Sequence, residues 1–209
     1  MLKGCCILFL TLTAAGADTL FKEDFENGLK PHWKPLKFEG LTSYKIVAEG
    51  TNHVMQASAQ SAASGLLAEV QASTKKGLVL SWRWKIDQVP QGATRTDKKT
   101  FDHTARMIIS HKPRLGLPTT LNYVWSADGK IDEGYDHPGS GRSKFIILQS
   151  SNAKAGQWLS EKRDVVADWK KAFGEAPPNT ITAVGFMTDS DGTQTHVIGN
   201  YDDIVLTIQ

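Results

Sequence analysis

A chain of 209 residues, 40% hydrophobic and 22% charged, has the composition of an ordinary globular domain and enough length to bury a core without metals or crosslinks. A formal net charge of +2, with no long run of one sign, gives no reason to expect nucleic acid or a charged membrane surface as partner. No linker or internal repeat divides the chain.

In chain order, Met1-Leu2-Lys3-Gly4 supplies a short positive end, Cys5 to Ala15 is uncharged and mainly apolar, and Ala15-Gly16-Ala17 is a small-residue cleavage pattern. Together they predict a secretory signal peptide over residues 1–17, leaving one domain over 18–209 in the periplasm or outside the cell. The apolar run is too short to span a bilayer. The two cysteines, Cys5 and Cys6, would leave with the leader, so the mature chain is expected to hold together by its core alone.

Short strands follow, set apart by turn residues: Leu20–Phe25, Tyr44–Ala48, Val54–Ala59 and Leu66–Val70. The clearest runs from Leu78 to Asp87, where Leu78, Leu80, Trp82, Trp84 and Ile86 alternate with Val79, Ser81, Arg83, Lys85 and Asp87. That period of two puts three aliphatic side chains and two indoles on one face. Residues 105–110, 120–126, 144–148, 181–188 and 203–208 read as further strands, with 88–104, 114–118 and 128–143 as loops. One helix is expected where Val165, Trp169, Ala172 and Phe173 recur at helical spacing, with Asp164 capping its start and Gly174 ending it. The pattern predicts a mainly β fold, a two-sheet antiparallel β-sandwich with one short helix.

Several ordered segments carry a resemblance. Leu80-Ser81-Trp82-Arg83-Trp84-Lys85-Ile86, Phe101-Asp102-His103-Thr104-Ala105-Arg106, Leu121-Asn122-Tyr123-Val124-Trp125, Glu161-Lys162-Arg163-Asp164-Val165, Phe173-Gly174 and Met187-Thr188-Asp189-Ser190-Asp191-Gly192-Thr193 resemble the bacterial family called domain of unknown function 3047. The resemblance implies a periplasmic or secreted protein with a jelly-roll sandwich, and it carries no established activity. The chain departs from the family pattern twice. His103 follows Asp102 where a second acid is usual, and Gly192 follows Asp191 where Asn is usual.

The candidate ligand-binding residues lie mostly in those segments: Asp102, His103, Arg106, Asn122, Tyr123, Trp125, Arg163, Asp189 and Asp191. Arg106 can bind a carboxylate or sugar hydroxyls through its planar fork, or fix strand register by pairing with a buried acid on a neighbouring strand. Alternation through Asp102, Thr104 and Arg106 puts these three on one strand face. Asp189 and Asp191 suit a hard cation, or an Asx turn that caps a strand. The loop 132–137 can hold an acid/base pair or be a solvated loop. Tyr123 and Trp125 share a face that is either a sugar platform or core. Jelly-roll carbohydrate-binding modules are similar in their acidic, aromatic opening and Asp-Asp-Ile closing strand. That likeness makes Glu26 and Asp202 candidate ligands for a structural calcium.

No nucleophile elbow, zinc motif or paired-carboxylate glucanase signature is present, so no catalytic residue is assigned. The expected function is a non-catalytic binding module for a glycan or another polar ligand of the cell envelope. A polysaccharide hydrolase or lyase, and an envelope scaffold that binds protein, remain as alternatives.

Overall fold

The computed structural model describes residues 18–208; the predicted leader and its cleavage site lie outside the described residues. In chain order the elements are β1 (Asp18–Glu23), β2 (Trp33–Glu39), β3 (Ser43–Glu49), β4 (Asn52–Gln60), β5 (Ala63–Ser73), β6 (Val79–Ile86) and β7 (Ala105–His111). After them come β8 (Thr119–Ser126), β9 (Gly134–His137), β10 (Ser140–Ser150), β11 (Leu159–Asp164), α1 (Val165–Phe173), β12 (Thr180–Asp189) and β13 (His196–Ile208).

The strands form two sheets packed face to face, the sandwich that the alternation predicts. The first runs β11-β6-β13-β4-β3, with β1 also paired to β13, and the second runs β2-β5-β12-β7-β8-β10-β9. Every pairing is antiparallel except β8 with β10, which is parallel. The chain turns through β9 between them, so β10 enters the sheet from the same end as β8.

Between the sheets lies one dominant core. Trp82 and Trp84 come inward from β6, and they meet Tyr123 and Trp125 from β8 at ring-centroid distances of 5.4 and 6.1 Å. Tyr123 and Trp125 are wholly buried, which corrects their expected role as ligand platforms. Their polar tips are satisfied inside: Tyr123 Oη donates to Asp168, and Trp125 Nε1 donates to the Ser151 carbonyl. Burial on this scale is what holds a crosslink-free domain together.

The helix forms where its caps put it. The Asp164 carboxylate accepts from the N–H groups of Val166 and Ala167, and Gly174 ends the helix at φ +73°, a left-handed conformation that glycine adopts without steric cost. Arg163, a candidate ligand residue, is committed here: its guanidinium grips Asp168 at 2.8 and 2.7 Å and Asp132 at 2.9 Å.

Three strands were not expected. β2 carries Pro35 and three charged residues, Lys34, Lys37 and Glu39, and it is an edge strand, where proline is tolerated. β9 is four residues inside a segment expected to be loop. β11 is an edge strand with polar side chains on both faces, so it has no apolar alternation to read. Among the described residues, no helix is long and apolar enough to cross a membrane.

Candidate binding groove on the second sheet

On β7, alternate side chains part company. Ala105, Met107 and Ile109 enter the core, while Arg106, Ile108 and Ser110 turn to the outer face of the second sheet. Arg106 N–H donates to Tyr201 Oη at 3.2 Å, and Tyr201 Oη donates to the Met187 carbonyl at 2.6 Å. One buried phenol from β13 thus fixes β7 and β12 just behind the site.

The Arg106 guanidinium is almost fully buried. Its Nη2 donates to Asp189 Oδ2 at 2.8 Å and to His103 Nδ1 at 3.3 Å, and the cation lies 5.3 Å from the Phe145 ring centroid. Its Nε has no hydrogen-bond partner among the described residues. A buried donor without a partner is costly.

His103 is held in one tautomer. Arginine only donates, so His103 Nδ1 accepts, and Nε2–H donates to Tyr135 Oη at 2.8 Å. The ring lies nearly parallel to those of Phe145 and Tyr135. Burial, with Arg106 and His137 nearby, holds its pKa well below the ordinary value, so the ring is neutral.

Three carboxylates complete this end. Asp102, Asp189 and Asp191 place oxygens within 4.8 Å of one another. Asp102 precedes β7 rather than lying within it, and it does not share a strand face with Arg106 as alternation suggested. Its two oxygens accept from Gly192 N–H, Thr193 N–H and Thr193 Oγ1. Asp189, on the neighbouring strand, is the acid that pairs with Arg106, and it is pushed up to about 7 by burial against the opposing pull of Arg106. Burial and the adjacent Asp102 also raise Asp191, which is only partly buried. The trio is the one group of three or more potential metal ligands among the described residues. Three donors on Asp102 and Arg106 on Asp189 already take lone pairs that a cation would need.

Gly192 explains the departure from the family pattern. A side chain there would place Cβ 2.5 Å from the Lys99 carbonyl oxygen. Only glycine lets the 189–193 turn approach the 3-10 turn at Lys98–Thr100 closely enough for its N–H groups to reach Asp102.

Two depressions meet at this cluster and share Phe38, Arg106, His137 and Met187 as wall; their volumes are about 190 and about 370 Å3. A third, of about 470 Å3, continues past Ser110 toward Lys112 and shares Leu36, Leu67 and Pro118 with its neighbour. They make a groove along β7 that is roughly 20 Å from Arg106 to Lys112 at the rise of an extended strand. Asn122 lines the groove, its amide held by Thr120 Oγ1 and the Lys144 carbonyl. Phe38 is 59% exposed and was missed by sequence reasoning, because β2 was not read as a strand. The alternation of Leu36 and Phe38 with Pro35, Lys37 and Glu39 was the available signal.

The remaining candidates go elsewhere. Asp132 and Asp136 pair with Arg163 and Lys144, and Glu133 pairs with Arg95, so the 132–137 segment sends only Tyr135 and His137 to the site. Glu26 accepts from His53, whereas Asp202 is fully buried and holds Arg83 and Asn52. Neither belongs to the metal-competent trio.

No sequence among the curated proteins matches the chain. Among solved structures it is similar to the CBM22-1–CBM22-2 tandem of Paenibacillus barcinonensis Xyn10C (16% identity, TM-score 0.49), covering 94% of this chain and 51% of that one. It is also similar to the K1 cleaved adhesin domain of Lys-gingipain from Porphyromonas gingivalis W83 (14%, 0.49), covering 92% and 99%, and to CtCBM11 (17%, 0.44), covering 94% and 99%. The chain thus spans about half the length of the tandem, 51%, and these likenesses are of sandwich outline. Residues 31–205 match the family described as protein of unknown function DUF3047, and with most of its length inside that match the chain belongs to this family.

Proposed function

We propose that this protein is an exported, non-catalytic binding module whose groove on the second sheet takes a glycan. The observation that carries the reading is that the half-exposed Asp191 carboxylate and the exposed Phe38 ring line one depression, which Arg106 also lines. A sugar hydroxyl donates as well as accepts, so it can donate to the Asp191 carboxylate. Phe38 supplies an exposed apolar ring at the same wall, which suits the C–H face of a pyranose.

A glycan array followed by calorimetry tests this. Phe38→Ala and Asp191→Asn alter exposed or half-exposed groups, so both variants fold. Each is expected to weaken binding about tenfold, the size of one lost stacking or charge-assisted contact. Binding that is unchanged in both variants, or no bound glycan on the array, would remove the reading. Export is tested separately: the secreted protein should begin at Asp18 by N-terminal sequencing.

A hydrolytic reading has one observation in its favour, the gathering of Asp102, Asp189 and Asp191 at one place, since glycoside hydrolysis uses paired carboxylates. Asp102 spends both oxygens on three donors, which leaves a weak nucleophile, so binding is the conclusion. Release of reducing sugar that Asp191→Asn abolishes would reverse that order.

A further inference from the structure

The end of the sandwich opposite the Asp102–Arg106 cluster gathers basic residues that the sequence disperses. Thr74 N–H donates to the Asn179 carbonyl at 3.1 Å, the His111 ring bonds the Thr180 carbonyl at 2.8 Å, and Ser143 pairs with Thr120. The β5–β6 turn, the entry to β12 and the β7–β8 loop therefore lie side by side. Residues 74–78, 112–118 and 174–179 contain Lys75, Lys76, Lys112 and Arg114 against one acid, Glu175. All four basic residues are exposed.

The β7–β8 loop projects Leu115 and Leu117, which are 89% and 65% exposed. Pro113 and Pro118 bracket the tip, and Gly116 turns it at φ +116°. Single exposed leucines are common on protein surfaces. Two on one proline-braced tip, flanked by basic residues and with no acid in the loop, form a compact apolar point inside a positive field. Its area is a small fraction of the roughly 800 Å2 per partner that a stable protein interface needs. A bilayer makes no such demand: two side chains enter the acyl boundary while nearby lysines and arginines meet anionic headgroups.

We propose that the Leu115–Leu117 loop docks this protein on an anionic lipid surface, with Lys75, Lys76, Lys112 and Arg114 at the headgroups. The inference is independent of the glycan reading. It gives the groove a fixed orientation, since Pro118, on the flank of this loop, also forms groove wall.

Co-sedimentation of the full chain with vesicles tests it, using phosphatidylcholine alone and equal parts phosphatidylcholine and phosphatidylglycerol. Residues 1–17 are common to every variant, so differences between variants report the loop. Wild type is expected to bind the anionic vesicles about tenfold or more tightly than the double variant Leu115→Ser with Leu117→Ser. Lys112→Gln with Arg114→Gln should lose about fivefold per charge. Equal partition of wild type and the leucine variant would overturn the proposal, as would equal binding of wild type to neutral and anionic vesicles at low salt. Leucine-dependent self-association in equilibrium sedimentation, without vesicle binding, would overturn it in favour of a protein contact.

Discussion

Arg106 is tied down by one nitrogen and unpartnered at another. Nη2 serves Asp189 and His103, while Nε serves no described residue. Replacing Arg106 by Ala leaves Asp189 buried without its cation, and it is expected to cost about 3–5 kcal/mol in denaturant unfolding. The pH dependence of stability carries two opposed contributions. Asp189 is raised from the ordinary 3.8 to about 7, so between those values the folded chain keeps a proton that the unfolded chain has released, and stability falls as pH rises. His103 is lowered well below 6.5, so under acid the unfolded chain takes up a proton that the folded chain refuses, and stability falls as pH drops below about 6.5. Melting curves across pH 4 to 8 separate them. Relative to wild type, Asp189→Asn should gain stability as pH rises, and His103→Gln should gain it as pH falls. Variants that parallel wild type across this range would contradict both assignments. An acid on a neighbouring strand was one of two partners legible for Arg106 from residue type; that the acid is Asp189 was not, because it follows from the pairing of β7 with β12. The tautomer of His103 was not, because it depends on Tyr135, from a segment read as loop.

Strands announce themselves when one face is apolar, and β6 does so completely: its inward Leu80, Trp82, Trp84 and Ile86 are buried and its other face is largely half-exposed. Trp84→Ala should cost about 3–5 kcal/mol, read as a shift of the denaturation midpoint at constant slope. The helix was legible for a different reason, since its caps are chemical signals: Asp164→Ala should cost about 1 kcal/mol. β2 was missed because Pro35, Lys34, Lys37 and Glu39 mask the alternation on an edge strand. That omission hid Phe38, and with it one wall of the groove. Gly192 belongs to this scale as well. Gly192→Asn drives a side chain into the Lys99 carbonyl, so it should loosen the turn that satisfies Asp102. The expected signature is faster amide exchange at residue 193, with the β6 amides unchanged.

Across the molecule, the two sheets divide the work. Facing indoles and phenols fill the interior, and the outer face of the second sheet carries the groove, with charged chemistry at one end and the leucine loop at the other. The sandwich was legible as a whole because alternation is a property of each strand. The groove was not, because it is assembled from β2, β5, β7, β8, β10 and β12, and neighbourhood across a sheet follows from topology that periodicity alone does not fix. Aromatic residues illustrate the difference. Trp125 read equally as platform or core and lies in the core, while Phe38 lay in an unread strand and stands at the groove. Since core burial and ligand contact use the same residue types, only the placement of each face separates them.

The most direct test is the side-chain Nε–H resonance of Arg106 in a nitrogen-edited NMR titration with an oligosaccharide chosen by array. A sugar in the groove predicts a shift of that resonance as it settles against the wall that Arg106 shares with Asp191 and Phe38, alongside changes at those two residues. An Arg106 Nε–H signal that stays fixed while perturbations gather on the first sheet would contradict it.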